Sequence, residues 1–288
     1  MKDCIIVGGG PAGLTAALYL ARFLRDVVVF DAREGRAGLI PKTHNLAPFP
    51  DGIAGQDLLD RMRSHAERYG AELALGTVQE IAQKNGVFHV ETDDRNAVAR
   101  RIILASGVIN HRPPLSAEDH DLGLLRGLIR YCPICDAYEV RDKRIAVLGS
   151  GEHGLAEAQF IRRYSRDVTL IPPNGPAANP TDGIACLGAP MRRLSLTDRQ
   201  VIVEPETGAP QQFDTLYVAL GTSPRSDLAK TLGATCSRSG CVVVDDHQQT
   251  SVDGVFAVGD IVEGLDQIAY AMGQGAVAAT KIHNDLRN

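Results

Sequence analysis

The chain has 288 residues, 44% of them hydrophobic, a length that predicts about two domains with enough apolar content to fill a core in each. A formal net charge of −5, scattered basic residues and 5% aromatic content leave no electrostatic footprint for nucleic acid. Six cysteines are too few for a disulfide scaffold, and Met1-Lys2-Asp3 runs into a short apolar strand with neither a signal-peptide core nor a membrane span, so the expected location is cytoplasmic.

The first predicted strand, Cys4-Ile5-Ile6-Val7, leads into Gly8-Gly9-Gly10-Pro11-Ala12-Gly13 and then a helical run from Leu14 to Leu24. Strand, tight glycine turn and helix together make a dinucleotide loop. The glycines make the turn, let backbone N–H groups approach a pyrophosphate and allow the helix to lie close to the strand. A second strand, Val27 to Phe30, ends at Asp31, whose carboxylate suits the two ribose hydroxyls of an adenosine.

Further along stands Cys132-Pro133-Ile134-Cys135-Asp136, just upstream of a second glycine-rich loop. A Cys-x-x-Cys near a βαβ unit reads as a redox dithiol, in which one thiolate attacks a partner disulfide and the other resolves it. Pro133 suits the first turn of a helix, which places the thiols near that helix's start. The competing reading is half of a zinc site completed by Cys236 and Cys241, although their spacing is looser than structural zinc sites use. Cys4, Cys186, Cys236 and Cys241 read most simply as ordinary small residues.

The second βαβ unit begins with Arg144-Ile145-Ala146-Val147-Leu148 and continues through Gly149-Ser150-Gly151-Glu152-His153-Gly154 into a helix to about Tyr164 and a strand, Val168 to Ile171. Near the C-terminus the strand Gly254 to Val258 stops at Gly259-Asp260, and an Ala- and Gly-rich helix runs from Gln267 towards Asn284.

These motifs, with Leu104-Ala105-Ser106-Gly107, Ala219-Leu220-Gly221-Thr222-Ser223-Pro224 and Ala257-Val258-Gly259-Asp260, follow the order seen in low-molecular-weight thioredoxin reductases, and the resemblance covers nearly the whole chain. It implies an α/β fold of two Rossmann-like three-layer dinucleotide-binding domains, the second inserted in the first. A discontinuous FAD domain is expected over 1–112 plus 240–288, and a dithiol and pyridine-nucleotide domain over 113–239. The punctuating runs are His111-Arg112-Pro113-Pro114 and Ser237-Arg238-Ser239-Gly240. Glutathione-reductase relatives carry their redox cysteines in the first domain, where this chain has only Cys4.

By the same resemblance Gly8, Gly10, Pro11, Ala12, Gly13 and Asp31 hold the adenosine diphosphate part of FAD, and Asn45 contacts the flavin. Gly259 and Asp260 meet the ribityl chain, and Gln267 with Ile268 lies against the isoalloxazine. Cys135 faces the flavin, Cys132 attacks the substrate, Asp136 shuttles the proton, and the chain forms a homodimer. One position departs from the family: Asp266 stands where an Arg usually precedes the Gln, which changes the charge beside the cofactor.

The electron-donor site departs further. Asp31 stands 23 residues after Gly8, and the same offset from Gly149 lands on Pro172, in Ile171-Pro172-Pro173-Asn174. NADP enzymes place arginines at this strand end for the 2′-phosphate and NAD enzymes a carboxylate. Here neither stands, and the proline-rich run Gly175 to Pro180 follows. Gly149, Gly151 and Gly154 are therefore the candidate pyridine-nucleotide loop of a degraded site. Arg192 and Arg193 are the nearest alternative cations, although adjacent residues on a strand point to opposite faces. His153 reads either as a ligand or as a surface residue.

The leading expectation is an FAD-dependent reductase of a thioredoxin-like protein disulfide, fed weakly by NADPH or by another donor such as ferredoxin. A flavin-dependent dithiol oxidase passing electrons to oxygen is the alternative, and members of that group often carry His where this chain has Asp136. A non-catalytic flavin redox sensor is the third reading, against which the intact dithiol argues.

Overall fold

The computed structural model describes residues 1–173 and 183–287, so the expected proline-rich run from Gly175 to Pro180 lies outside the described residues. The chain divides into two units, one formed by Met1–Leu39, Ile53–Ile109 and Ser223–Asn288, the other by Ile40–Gly52 and Asn110–Thr222.

The first passage through unit 1 builds β1 (Lys2–Val7), α1 (Pro11–Arg22), β2 (Val27–Asp31), α2 (Gly55–Arg68), β3 (Glu72–Leu75), β4 (Val78–Lys84), β5 (Val87–Thr92), β6 (Asn96–Leu104) and the short β7 (Val108–Asn110). Strands β3, β2, β1 and β6 lie side by side in parallel, and β5 and β4 continue the sheet antiparallel. Parallel strands are covered on both faces, so they need continuous apolar runs. In β1 the alternation sends Cys4 and Ile6 to one core and Ile5 and Val7 to the other. Val27 and Val29 of β2 join the first of these cores, Val28 and Phe30 the second.

Unit 2 carries α3 (Ala117–Leu125), β8 (Ile129–Arg130), α4 (Pro133–Asp136), β9 (Arg144–Gly149), α5 (Gly151–Ile161), β10 (Asp167–Ile171), β11 (Ala185–Cys186), β12 (Met191–Leu196), β13 (Val201–Pro205), β14 (Gln211–Phe213) and β15 (Thr215–Ala219). Its five-stranded sheet has the order β11, β10, β9, β15, β8, all parallel, and β12 to β14 form a separate antiparallel sheet. Tyr217 and Ala219 of β15 point to the face that Ala158 and Ile161 of α5 cover, whereas Leu216 and Val218 point to the other.

The chain returns through β16 (Thr222–Pro224), which pairs with β7, and then adds α6 (Asp227–Thr231), β17 (Val255–Ala257) and α7 (Ile268–Asp285). β17 joins unit 1 parallel to the end of β6. α7 lies so close to α1 that a Cβ on Gly275 would stand 2.3 Å from the Ala12 carbonyl oxygen. The small residues of these two helices permit that approach.

The return crossing thus falls at Thr222–Ser223 and not in the expected Ser237-Arg238-Ser239-Gly240 run. The reason is hydrophobic: Ala229 and Ala234 are buried in the core of unit 1 with Phe88 and Val90, so residues 223–239 belong to that unit. Residues 40–52, expected in the first domain, group with unit 2.

Candidate active site

β1 delivers the chain to Gly8, whose φ of +108° is a conformation that glycine adopts without strain. A Cβ there would lie 2.3 Å from the Ala105 carbonyl oxygen, and one on Gly13 would lie 2.1 Å from that of Gly8. Gly10 is different: a Cβ on it would meet nothing within 4 Å among the described residues. Gly10 is the N-cap of α1, no side chain caps that helix, and Pro11 occupies its first turn. The N–H groups of that turn are left to an external acceptor, which an anionic ligand satisfies.

Asp31, at the end of β2, lies over the loop, since a Cβ on Gly9 would fall 2.3 Å from its Oδ2. Its Oδ1 accepts the Arg33 N–H at 3.0 Å, and its Oδ2 is 3.3 Å from Arg63 Nη2. Gly9, Asp31, Arg33, Arg63, Ser64 and Glu67 line a cleft of about 290 Å³. The open space at Gly10, the uncapped helix and this carboxylate-bearing cleft fit the adenosine diphosphate portion of FAD. Arg63 was not foreseen, because α2 carries many charged residues and nothing in its sequence distinguishes this one.

Gly259, with φ +79°, follows β17, and a Cβ there would be 3.0 Å from the Ala12 Cβ. Its N–H donates to the buried Gln274 Oε1 at 2.8 Å, which fixes the strand end against α7. Asp260 therefore sits beside the start of α1. Arg36 Nη1 bridges Asp260 Oδ2 at 3.2 Å and Asp266 Oδ2 at 2.8 Å. Burial raises the Asp260 carboxyl above its ordinary range, the Asp266 charge adds to this, and Arg36 opposes both. Gln267 is the N-cap of α7 and Ile268 its first residue, both half-buried. Asn45 is exposed and its Oδ1 accepts from Thr43 Oγ1 at 2.9 Å.

In unit 2, Cys132 and Cys135 are joined by a disulfide. Pro133 occupies the first turn of α4 and Cys132 is its N-cap, so the Cys135 N–H points at Cys132 Sγ, 3.2 Å away. Among the described residues, no cluster of three or more His, Cys, Asp or Glu is placed to hold a metal. Asp136 follows at once with both carboxylate oxygens engaged: Arg130 Nη1 donates to Oδ2 at 2.5 Å and Tyr217 Oη donates to Oδ1 at 2.7 Å. Burial raises the Asp136 carboxyl, against the lowering charge of Arg130 and the Tyr217 hydrogen bond. Arg130 was legible in principle, since it stands two residues before Cys132 in an extended stretch and so shares its face. Tyr217 was not, because only the sheet brings β15 to this place.

The second glycine loop joins β9 to α5. Gly154 is forced, because a Cβ on it would be 2.7 Å from the Gly149 carbonyl carbon, and Gly151 takes φ +62° with open space around it. His153 Nε2 is 3.2 Å from Glu157 Oε1, one helical turn on. The Glu157 carboxyl is pushed up to about 7 by burial, and its Oε2 has no hydrogen-bond partner among the described residues. β10 ends at Ile171, before the buried Pro172. Arg192, exposed on β12, pairs with Glu204 at 2.8 Å.

A glycine loop on each parallel sheet and a disulfide at a helix start define a flavin- and nucleotide-type disulfide oxidoreductase. A family model described as pyridine nucleotide-disulphide oxidoreductase matches residues 2–275, and the chain belongs to that family. Within it the chain is an FAD-dependent disulfide oxidoreductase of the low-molecular-weight thioredoxin reductase type. The thioredoxin reductase of Streptomyces clavuligerus is 31% identical, the match covering 97% of this chain and 92% of that one. That of Aquifex aeolicus is also 31% identical, over 99% and 93%. Among solved structures, the thioredoxin reductase of Streptococcus pyogenes superposes with a TM-score of 0.90 at 27% identity, covering 100% of this chain and 98% of that one. The structure of HlmI gives 0.89 at 27%, over 99% and 92%.

Proposed function

We propose that the protein reduces the disulfide of a thioredoxin-like partner through FAD and the Cys132/Cys135 dithiol. The observation that carries this reading is the Cys132–Cys135 disulfide at the start of α4, with the Cys135 N–H donated to Cys132 Sγ. A thiolate on Cys132 would keep that donor, which stabilises it and makes it the sulfur that attacks.

FAD, when bound, supplies the two electrons that open the Cys132–Cys135 bond. Gly8, Gly10, Pro11, Ala12, Gly13 and Asp31 would hold its adenosine diphosphate portion, and Gly259, Asp260, Gln267 and Ile268 its flavin end. Cys132 then attacks one sulfur of the acceptor disulfide and expels the other as a thiolate, which takes a proton. Cys135 next attacks Cys132 Sγ in the mixed disulfide, restoring the S–S bond and releasing the second acceptor sulfur as a thiol. Asp136 is the proton carrier for these steps. Its burial favours the protonated form, while Arg130 and Tyr217 hold the carboxylate in place.

The donor is the weak point of the family pattern, because Pro172 stands at the strand end where a nucleotide-reading charge is normal. NADPH at low affinity, through Gly149, Gly151 and Gly154, or another donor such as ferredoxin is our reading. A cytoplasmic homodimer is part of the same reading, by the family resemblance; among the described residues no helix is long and apolar enough to cross a membrane.

The reading is tested by reducing the holoprotein chemically without oxygen, removing the reductant and adding oxidised thioredoxin. Stoichiometric appearance of thioredoxin thiols is expected. Failure of that transfer, with rapid oxygen uptake when a small dithiol is supplied, would identify a dithiol oxidase.

A further inference from the structure

The sequence leaves a question at position 266, where an acid replaces the usual cation. Asp260 and Asp266 would repel each other at this site, and a buried carboxylate is stable only when it is paired. The structure supplies the missing charge from elsewhere in unit 1. Arg36, in the short turn Arg36–Leu39 after β2, reaches both acids through one nitrogen, Nη1. Arg36 and Asp260 are each only 23% exposed, so water screens this pair less than a surface pair.

The trio stands at the glycine-loop end of the sheet. Gly259, adjacent to Asp260, is within van der Waals reach of Ala12 in the first turn of α1, and Asp266 precedes the N-cap of α7. One guanidinium against two carboxylates leaves a net charge of −1. An Arg at position 266, with Arg36 retained, would give +1. A change of this size close to a redox cofactor alters its electron affinity, since negative charge opposes the addition of electrons nearby.

We propose that Arg36 is a positioning residue of the flavin site: it anchors Asp260 at the loop end, and its sharing with Asp266 sets the charge against which the cofactor is reduced. This rests on the reading that FAD occupies unit 1. It also assigns Asp266 a function, as the partner that draws part of the guanidinium away from Asp260.

The test uses the FAD-loaded protein and its Arg36→Met, Arg36→Lys and Asp266→Asn variants, with the flavin midpoint read by equilibrium titration against a reference dye at about pH 8, where unpaired carboxylates are ionised. Asp266→Asn is expected to move the midpoint to a more positive value and Arg36→Met to a more negative one. Each shift should be at least tenfold in the two-electron equilibrium constant, which is about 30 mV. Arg36→Met should also lose FAD faster on gel filtration, and Arg36→Lys should recover most of both effects. Wild-type midpoints in Asp266→Asn and Arg36→Met, with FAD stoichiometric, would overturn the role of Arg36 alone. A wild-type protein that takes up no FAD would overturn the underlying reading as well. Asp266→Asn keeps the guanidinium and the Asp260 pair, so it decides the matter even where Arg36→Met fails to fold.

Discussion

The hydroxyl of Tyr217 donates to Asp136 at 2.7 Å across 81 residues of sequence, on the carboxylate oxygen opposite the one Arg130 holds. Both partners favour the carboxylate over the acid. Burial raises its carboxyl, whereas the Arg130 charge and the Tyr217 hydrogen bond oppose that rise. Tyr217→Phe removes a hydrogen bond that favours the carboxylate, and so raises the carboxyl further. A group raised in the folded state contributes stability below its unfolded pKa and loses it as pH rises through the folded value. Tyr217→Phe should therefore cost more stability at neutral pH than in acid below the ordinary carboxylate range. Melting temperatures at the two pH values check this, and an equal cost at both would show that the hydroxyl does not act on the carboxylate.

The two cysteines should separate by spectrum. Cys132→Ser leaves Cys135 as a single thiol and is expected to show a long-wavelength absorbance from a thiolate against the flavin. Cys135→Ser should lack it, and both should lose turnover. Absorbance spectra of the two FAD-loaded variants across pH make the measurement, and identical spectra would contradict the assigned roles.

Gly10→Ala and Gly13→Ala should fail differently. The Cβ at Gly10 meets no described atom within 4 Å, so Gly10→Ala should fold with a melting temperature close to wild type and yet bind FAD at least tenfold more weakly. At Gly13 the Cβ would collide with the Gly8 carbonyl oxygen, 2.1 Å away, costing about 1–3 kcal/mol of stability as well. FAD titration and thermal melts of the apoproteins distinguish the two.

Glu157 is a pH-sensitive element of unit 2. Its carboxyl is raised by burial to about 7, so the stability it contributes is complete below the ordinary glutamate value and is lost as pH rises through about 7. The shift corresponds to at most about 3 kcal/mol, because each pKa unit is about 1.36 kcal/mol. Glu157→Gln should be nearly neutral for stability at pH about 4 and stabilising by about 1–3 kcal/mol at pH about 8. Denaturant melts at both values report it, and a stabilisation independent of pH would show that this carboxyl titrates normally.

The donor site should discriminate little between the two pyridine nucleotides. With Pro172 where the 2′-phosphate is normally read, the loss of two arginine contacts, each about 1.5–3 kcal/mol, weakens NADPH by orders of magnitude. Anaerobic stopped-flow should show slow flavin bleaching by either nucleotide, with a rate ratio near unity. Rapid, saturable bleaching by micromolar NADPH with strong preference over NADH would mean that a basic group outside the strand end rebuilds the site.

The two strand–glycine–helix units, the dithiol and the acid beside it are legible in the residues alone. These are local: a glycine loop works through the backbone of a few consecutive residues, and Pro133 sets the start of α4 from within α4. The apolar runs of β1, β2, β9 and β10 also declared themselves, because a parallel strand covered on both faces tolerates few polar residues. Which distant charges meet is visible only in the folded chain. The Arg36 guanidinium reaches Asp260 and Asp266 across more than two hundred residues, and Tyr217 reaches Asp136 because β15 lies in the sheet beside β8 and β9. The return crossing at Thr222–Ser223 was hidden for the same reason: Ala229 and Ala234 carry no mark of which core they enter, and only packing against Phe88 and Val90 assigns them to unit 1. Ion pairs and core membership depend on distances in space, and a sequence read locally does not contain those distances.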